Sequence, residues 1–457
     1  MFKHKIIKEN QVQYIMLVLM HILLAVFIYF LPLFSKFYFI SVVIFFLVRI
    51  VSASNNNKSK EVIYACCYVI GSEVLFRMTS GAFFYEAAKY LVILYMLLGI
   101  FSTGVSKKSY PYFIFLLLLI PSIFVAYMRM DYDSNLRTNI AFVLSGPVCL
   151  GISALYLYDK RITLNDLLQA LKYLSLPIIS MTIYLFLYNP SIKNVLKGTQ
   201  SNFETSGGFG PNQVATILGV GMFILSVRLF MKSSNLSLKI VNGIILGLIS
   251  FRGIVTFSRG GIMTAILMIL IFLTIIYRNA SRTQRSKIVY TFFVLIILGT
   301  AVWTISSSQT EGLIDKRYAN QDKSGREKED LSTGRVDLFI SDLEGFINYP
   351  FLGAGANGAK ELRLKNNAGL KASHNEISRL LSEHGIFAII MLLILIVKPL
   401  LYHFNNRRNL FFYAFLCFWF ATINHSAMRI AAPGFIYALA LLDIKYEKRP
   451  LHRKRIV

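Results

Sequence analysis

Charge is what this chain has least of. Only 16% of its 457 residues are charged, and acidic residues are the scarcer sign, 23 Asp and Glu against 48 Lys and Arg. A soluble globule of this length needs far more polar surface, so that class is excluded. Cysteine is also scarce. Cys66, Cys67, Cys149 and Cys417 all lie inside apolar runs without metal-ligand spacing, which argues for packing and against a disulfide scaffold or a metal centre. Alternating polar and apolar segments are missing, so a β-barrel is excluded. No small-residue cleavage site follows the first apolar run, and no cleavable signal peptide is expected.

What the chain has is continuous hydrophobicity. Apolar residues make up 55% of it and cluster in stretches of about 17–22, the length that crosses ~30 Å of hydrocarbon. The fold class is an all-α polytopic membrane protein with about fourteen spans, within a range of 12–14: 13–31, 37–51, 61–77, 86–102, 110–128, 138–158, 167–188, 211–231, 237–257, 260–277, 287–305, 380–401, 410–425 and 429–442.

The net charge of +25 is distributed as the positive-inside rule requires, and not as nucleic-acid binding would. With the tail (Lys445, Lys448, Arg449, Arg453, Lys454, Arg455) placed inside, an even number of spans puts the other short basic loops inside too. These carry Lys398, Arg407 and Arg408; Arg278, Arg282 and Arg285; Lys232; Lys160 and Arg161; Lys107 and Lys108; Lys58 and Lys60; and Lys3, Lys5 and Lys8 at the N-terminus. Two polar segments then face outward, 189–210 and 306–379. The second is too long to be a mere connector. Its first part, 306–331, reads as polar and mobile, and 331–352 as an amphipathic helix. The organisation is 1–205 N-terminal spans, 206–305 central spans, 306–379 outer loop, and 380–457 C-terminal spans with a basic tail.

Candidate chemistry concentrates on the outer side. "TFSRGG" sets Arg259 at the head of a span, where free N–H groups and a helix dipole favour an anion. A guanidinium fork adds bidentate phosphate recognition, and the glycines would admit a ligand to the backbone. Arg252, two turns earlier, is expected on nearly the same face. Ser258 lies in the turn, and "GFGPNQVA" brings Asn212 to the same side. The outer loop offers Arg335 in "TGRVDLF", His374 and Asn375 in "SHNEIS", and Glu383 in "SEHG". An interfacial imidazole suits a general base, which Glu383 could orient. His425 and Arg429 of "NHSAMR" also face outward. Glu73 with Arg77, and Glu86 with Lys89, have the spacing of intramembrane pairs. Gly353–Gly358 matches G-x-G-x-x-G, but no βαβ pattern surrounds it, so a dinucleotide site is not expected.

The ordered set "FSRGG", "TGRVDLF", a Pro-Phe-Leu-Gly-x-Gly turn and "SHNEISRLLSEHGIFA", spanning about 205–395, resembles the O-antigen ligase/polymerase family of bacterial envelope glycan assembly. The resemblance implies a GT-C-like helical architecture with one large extracytoplasmic loop. It implies glycosyl transfer without metal or other cofactor, from an oligosaccharide on undecaprenyl pyrophosphate. Arg259 and Arg335 would hold the pyrophosphate, and His374 would stand by the acceptor hydroxyl. Arg252, Ser258, Asn212, Asn375 and Glu383 are the expected substrate contacts. Membrane lipids, a flippase and a chain-length regulator are the expected partners. The expected place is the bacterial inner membrane, with both termini cytoplasmic and the site facing outward. The reading is a polymerase of O-antigen or capsular repeat units. The alternatives are a ligase acting on lipid A core or protein, and a transporter or flippase of lipid-linked sugar.

Overall fold

The computed structural model describes residues 9–129, 135–196, 198–233, 235–328, 334–365 and 373–446. The terminal basic residues Lys3, Lys5, Lys8 and Lys448 to Arg455 lie outside them. So do the first residues of the amphipathic helix expected from 331.

The helices are α1 (Gln11–Phe30), α2 (Phe34–Ser52), α3 (Asn55–Met78), α4 (Ala87–Thr103), α5 (Tyr110–Arg129), α6 (Leu136–Leu157), α7 (Leu164–Tyr188), α8 (Pro211–Met231) and α9 (Leu236–Ile254). They continue as α10 (Arg259–Arg278), α11 (Arg282–Gln309), α12 (Leu313–Tyr318), α13 (Arg335–Asn348), α14 (Gly358–Lys365), α15 (Glu376–His384), α16 (Ile386–Asn405), α17 (Phe412–His425) and α18 (Ala432–Leu439). Each of the fourteen expected spans overlaps a helix, and one of them, 380–401, straddles the break at Gly385 between α15 and α16. Among the described residues ten are long and apolar enough to cross a membrane: α1, α2, α5 to α11 and α16. The chain is thus a multi-pass membrane protein. The other four expected spans are α3, whose first two turns are polar, and the shorter α4, α17 and α18.

Helix α3 is the centre of the bundle, buried from Val62 to Phe76 and packed on α7, α4 and α2. Its charges are paired as their spacing requires. Arg77 meets Glu73 at 2.6 Å and Glu86 at 3.5 Å, and Lys89 meets Glu86 at 2.6 Å. Arg77 also donates to Gln213 and to the Arg429 carbonyl, and the Ala431 N–H donates to Glu73. Buried ions with this many partners hold α3, α4, α8 and the α17–α18 link in one register.

The loops separate into two ends. At one, β1 (Arg161–Thr163) pairs in parallel with β2 (Asp443–Lys445). Asn406 donates to Asp443, Lys160 to the Gly104 carbonyl, and Arg49 pairs with Glu61. Arg228 and Lys172 both hold Glu9. These are the loops expected on the basic side. At the other end lie 77–86, 189–210, 255–258, the long loop and 426–431.

Candidate functional site

The chain breaks between α9 and α10. Phe257 takes a left-handed φ of 59°, unusual for a bulky residue. The Thr256 hydroxyl donates to the Gly253 carbonyl and accepts from the Ser258 N–H, which holds the turn. The break decides where two arginines go. A continuous helix would put Arg252 and Arg259 on one face; the turn sends them apart. Arg252 is fully buried and donates to the carbonyls of Asn189 and Thr205, at 3.3 and 3.1 Å. It staples the 189–210 segment to α9. The expectation that it shares a ligand with Arg259 is corrected.

Arg259 opens α10 and donates to the Asn320 side-chain oxygen and, at 3.4 Å, to the Arg317 carbonyl. Both partners belong to the part of the long loop read as mobile. Its described residues form regular elements: α11 runs on to Gln309, α12 follows, and a bridge between Gln321 and Glu327 closes a turn. Thr199 donates to the Gln321 carbonyl and accepts from Lys328, so both outer segments are knitted together.

Arg317 is the residue that sequence reasoning missed. It is buried, and its Nε donates to the Phe257 carbonyl at 3.2 Å, closing the broken turn. Burial and the like charges of Arg259 and Arg335 pull its guanidinium down to about 10. Burial and Arg259 lower Arg335, and burial with Arg317 and Arg259 lowers Lys328. These groups therefore crowd one another electrostatically. The ion pairs of the outer loop are Lys193 with Glu311, Arg363 with Asp342, and Arg379 with Glu376 and Glu383. Among the described residues none of these carboxylates reaches Arg259, Arg317 or Arg335. A half-buried cluster of guanidinium groups with no counter-ion among the described residues suits an anion. The signal in the sequence was "LIDKRY", a short amphipathic turn inside a segment otherwise read by its polarity.

An apolar cavity of about 420 Å³ opens between α8, α9, α10 and α11, lined by residues including Leu246, Ile266, Leu298, Gly299, Trp303 and Tyr318. Tyr318, which follows Arg317, is the lining residue nearest in sequence to the cationic cluster. Helix α11 borders it and is exposed along most of its length, with Ile288, Val302 and Ser306 buried.

Ser258 and Asn212 do come together, the Ser258 hydroxyl donating to the Asn212 side-chain oxygen at 2.7 Å. The glycines after Arg259 serve packing. A side chain at Gly261 would enter the α8 backbone at Ala215, and one at Gly260 would meet the His425 ring. Ligand approach to this backbone, as expected from sequence, is excluded by α8 and α17.

His374 lies half-buried between Ser373 and Asn375. Arg429 donates to the Ser373 carbonyl at 3.2 Å and is lowered by burial, with Arg335 contributing. Arg429 thus ties the His374 segment to the α17–α18 link, within electrostatic reach of Arg335. Asn375 caps α15: its oxygen accepts from the N–H groups of Ile377 and Ser378, and its amide donates to Asn424. Its polar atoms are committed to structure, against the expected substrate contact. Glu383 is buried and bound to Arg379 at 2.7 Å. It lies most of the length of α15 from His374, on the order of 12 Å along the axis, which rules out the expected orienting role. The Gly353–Gly358 match is a clamp on the same helix. The N–H groups of Ala354 and Gly355 donate to the carbonyls of Ser382 and Glu383, and Gly353, at φ 73°, leaves no room for a side chain against Glu383.

Residues 243–393 match the family model described as O-antigen ligase. The matched stretch runs from α9 into α16 and contains Arg259, Arg317, Arg335 and His374. This match supports an O-antigen ligase/polymerase-like family and a glycosyltransferase-like enzyme of surface-polysaccharide assembly. No curated protein matches the chain.

Proposed function

We propose, with the O-antigen ligase-like domain as premise, that this protein polymerises glycan repeat units carried on undecaprenyl pyrophosphate. It would do so at the outer face of a bacterial cytoplasmic membrane, with both termini inside. The reading assigns the bundle to the GT-C type of helical glycosyltransferase. The observation that carries it is the cluster of Arg259, Arg317 and Arg335, uncompensated among the described residues, beside an apolar cavity that Tyr318 helps to line. A lipid pyrophosphate has these two parts, an anionic head and a long hydrocarbon tail.

In this reading the arginines take up the charge that develops as the bond between sugar C1 and the pyrophosphate oxygen breaks. The acceptor hydroxyl oxygen forms the new bond to C1 and gives its proton to His374, a step worth roughly 10²–10⁴-fold. The pyrophosphate leaves with the bonding electron pair, on the polyprenol. Arg429 holds the backbone beside His374 and is a positioning residue.

The ligase reading has the same chemistry and is favoured by the description of the matching family. One experiment separates them: surface and lipid-linked glycan sizes in cells lacking the gene, complemented with wild type, Arg317→Ala or His374→Ala at matched protein levels. The expected result is single repeat units on the surface acceptor, restored to long chains by wild type only. Long chains stranded on the lipid carrier would make the protein a ligase. Repeat units trapped on the cytoplasmic face would make it a transporter and overturn the proposed site.

A further inference from the structure

We infer that α13 is an interfacial helix whose apolar stripe is buried in the outer leaflet of the membrane, so that the bilayer itself is a partner of the outer loop. At about 100° per residue, α13 has three faces. Leu338, Asp342 and Gly345 are buried against the protein. Asp342 accepts from the hydroxyls of Ser373 and Ser378, both at 2.8 Å, which locks this face onto α15. A second stripe is polar: Asp337, Ser341, Glu344 and Asn348. The third is apolar: Val336, Phe339, Ile340, Leu343, Phe346 and Ile347. Ile347 is 72% exposed and Val336 54%. A helix with a protein face and a water face has no use for a third, hydrophobic one unless something apolar covers it.

The occupant is lipid because the finish of α13 is tied to span termini at the membrane surface. At its start, Arg335 lies within electrostatic reach of Arg259, the first residue of the span α10. At its finish, the Ile386 N–H, the first of the span α16, donates to the Pro350 carbonyl at 2.8 Å. Arg129, at the last turn of the span α5, donates to the Gly353 carbonyl and stacks 4.3 Å over Tyr349. With its finish tied to two span termini and its start in electrostatic reach of a third, this helix of about 21 Å runs along the membrane plane. Its apolar stripe continues into Phe351, 74% exposed, and Met128 and Ile386 at the ends of those spans are exposed as well. Apolar side chains on a helix lying in this plane enter the boundary between headgroups and acyl chains. Arg335, on the first turn, is thereby held at headgroup level.

The test is site-directed spin labelling of the full chain in phosphatidylethanolamine/phosphatidylglycerol nanodiscs, with Cys417→Ser to remove the partly exposed thiol. Single cysteines go at Ile340 and Ile347 on the apolar stripe, and at Glu344 and Asn348 on the polar one. All four side chains are exposed, so labelling leaves the core intact. The expected result is high oxygen and low nickel-chelate accessibility at Ile340 and Ile347, with the reverse at Glu344 and Asn348. Nickel-chelate access at all four positions would mean a water-exposed helix and overturn the inference. Protection of Ile340 and Ile347 from both reagents would mean a protein partner, and would overturn it equally.

Discussion

Arg317 differs from Arg259 in what its fork has already spent. Its Nε is committed to the Phe257 carbonyl, which leaves the terminal nitrogens for a ligand. Charge-assisted hydrogen bonds are worth about 1.5–3 kcal/mol, so Arg317→Ala is expected to raise KM for lipid-linked donor roughly 10- to 100-fold. Lysine at this position would recover charge without the fork and restore only part. Steady-state turnover of purified lipid-linked glycan checks both. Arg252→Gln should behave oppositely, lowering thermal stability while KM stays near wild type, because its partners are protein carbonyls. At Glu383 the effect is on stability. Burial, with the neighbouring charges of Glu376 and Asp342, lifts its carboxyl from 4.5 to about 7 against the pull of Arg379. Its folded pKa lies above its unfolded one, so the folded protein holds the proton more tightly. The stabilisation this brings is complete below about 4.5 and is lost as pH rises through about 7. Glu383→Gln should flatten that part of the melting profile in detergent; an unchanged slope would show that another group titrates there.

At the scale of elements, the α8–α10 contact and the loose seat of α11 make opposite predictions for glycine substitutions. Gly261 faces α8 backbone, which has nowhere to move, whereas Gly260 faces the His425 side chain. Gly261→Ala should therefore cost about 1–3 kcal/mol by overpacking, and more than Gly260→Ala, as read from melting temperatures. Gly299 lines the apolar cavity and looks into open space. Gly299→Phe should leave stability intact and fill the volume set aside for a hydrocarbon tail. KM should rise for a long-chain polyprenyl donor and stay level for a short-chain analogue. Equal KM changes for both donors would remove the cavity from the binding site.

For the whole molecule, the decisive property is that the cationic cluster and the paired basic loops occupy opposite ends of one bundle. Ser324 lies in the turn beyond α12, and Arg407 in the link between α16 and α17 at the basic end. In intact spheroplasts a membrane-impermeant maleimide should label Ser324→Cys and not Arg407→Cys, and lysis should expose the second. Labelling of Arg407→Cys in intact cells would invert the orientation and place the site on the cytoplasmic side, away from a surface-glycan reaction.

Much of this was legible in the order of residues alone. Hydropathy runs located every long helix, since a span must be apolar along its length whatever it packs against. The i, i+4 spacing of Glu73 and Arg77 announced their pairing, and the basic loops sorted themselves onto one end. Arg259 and Arg335 stood out as cations in short motifs. What the sequence could not disclose was direction. Arg252 and Arg259 look like neighbours on a helix, and only the left-handed turn at Phe257 parts them. Asn375 and Glu383 look like site residues until a cap and an ion pair consume their polar atoms. Arg317 looked like loop until α12 folded it under the break. These outcomes depend on contacts between segments tens of residues apart, such as Arg317 with Phe257 or Asn320 with Arg259. Local composition determines which segments are apolar; only packing determines which polar atoms remain free to bind.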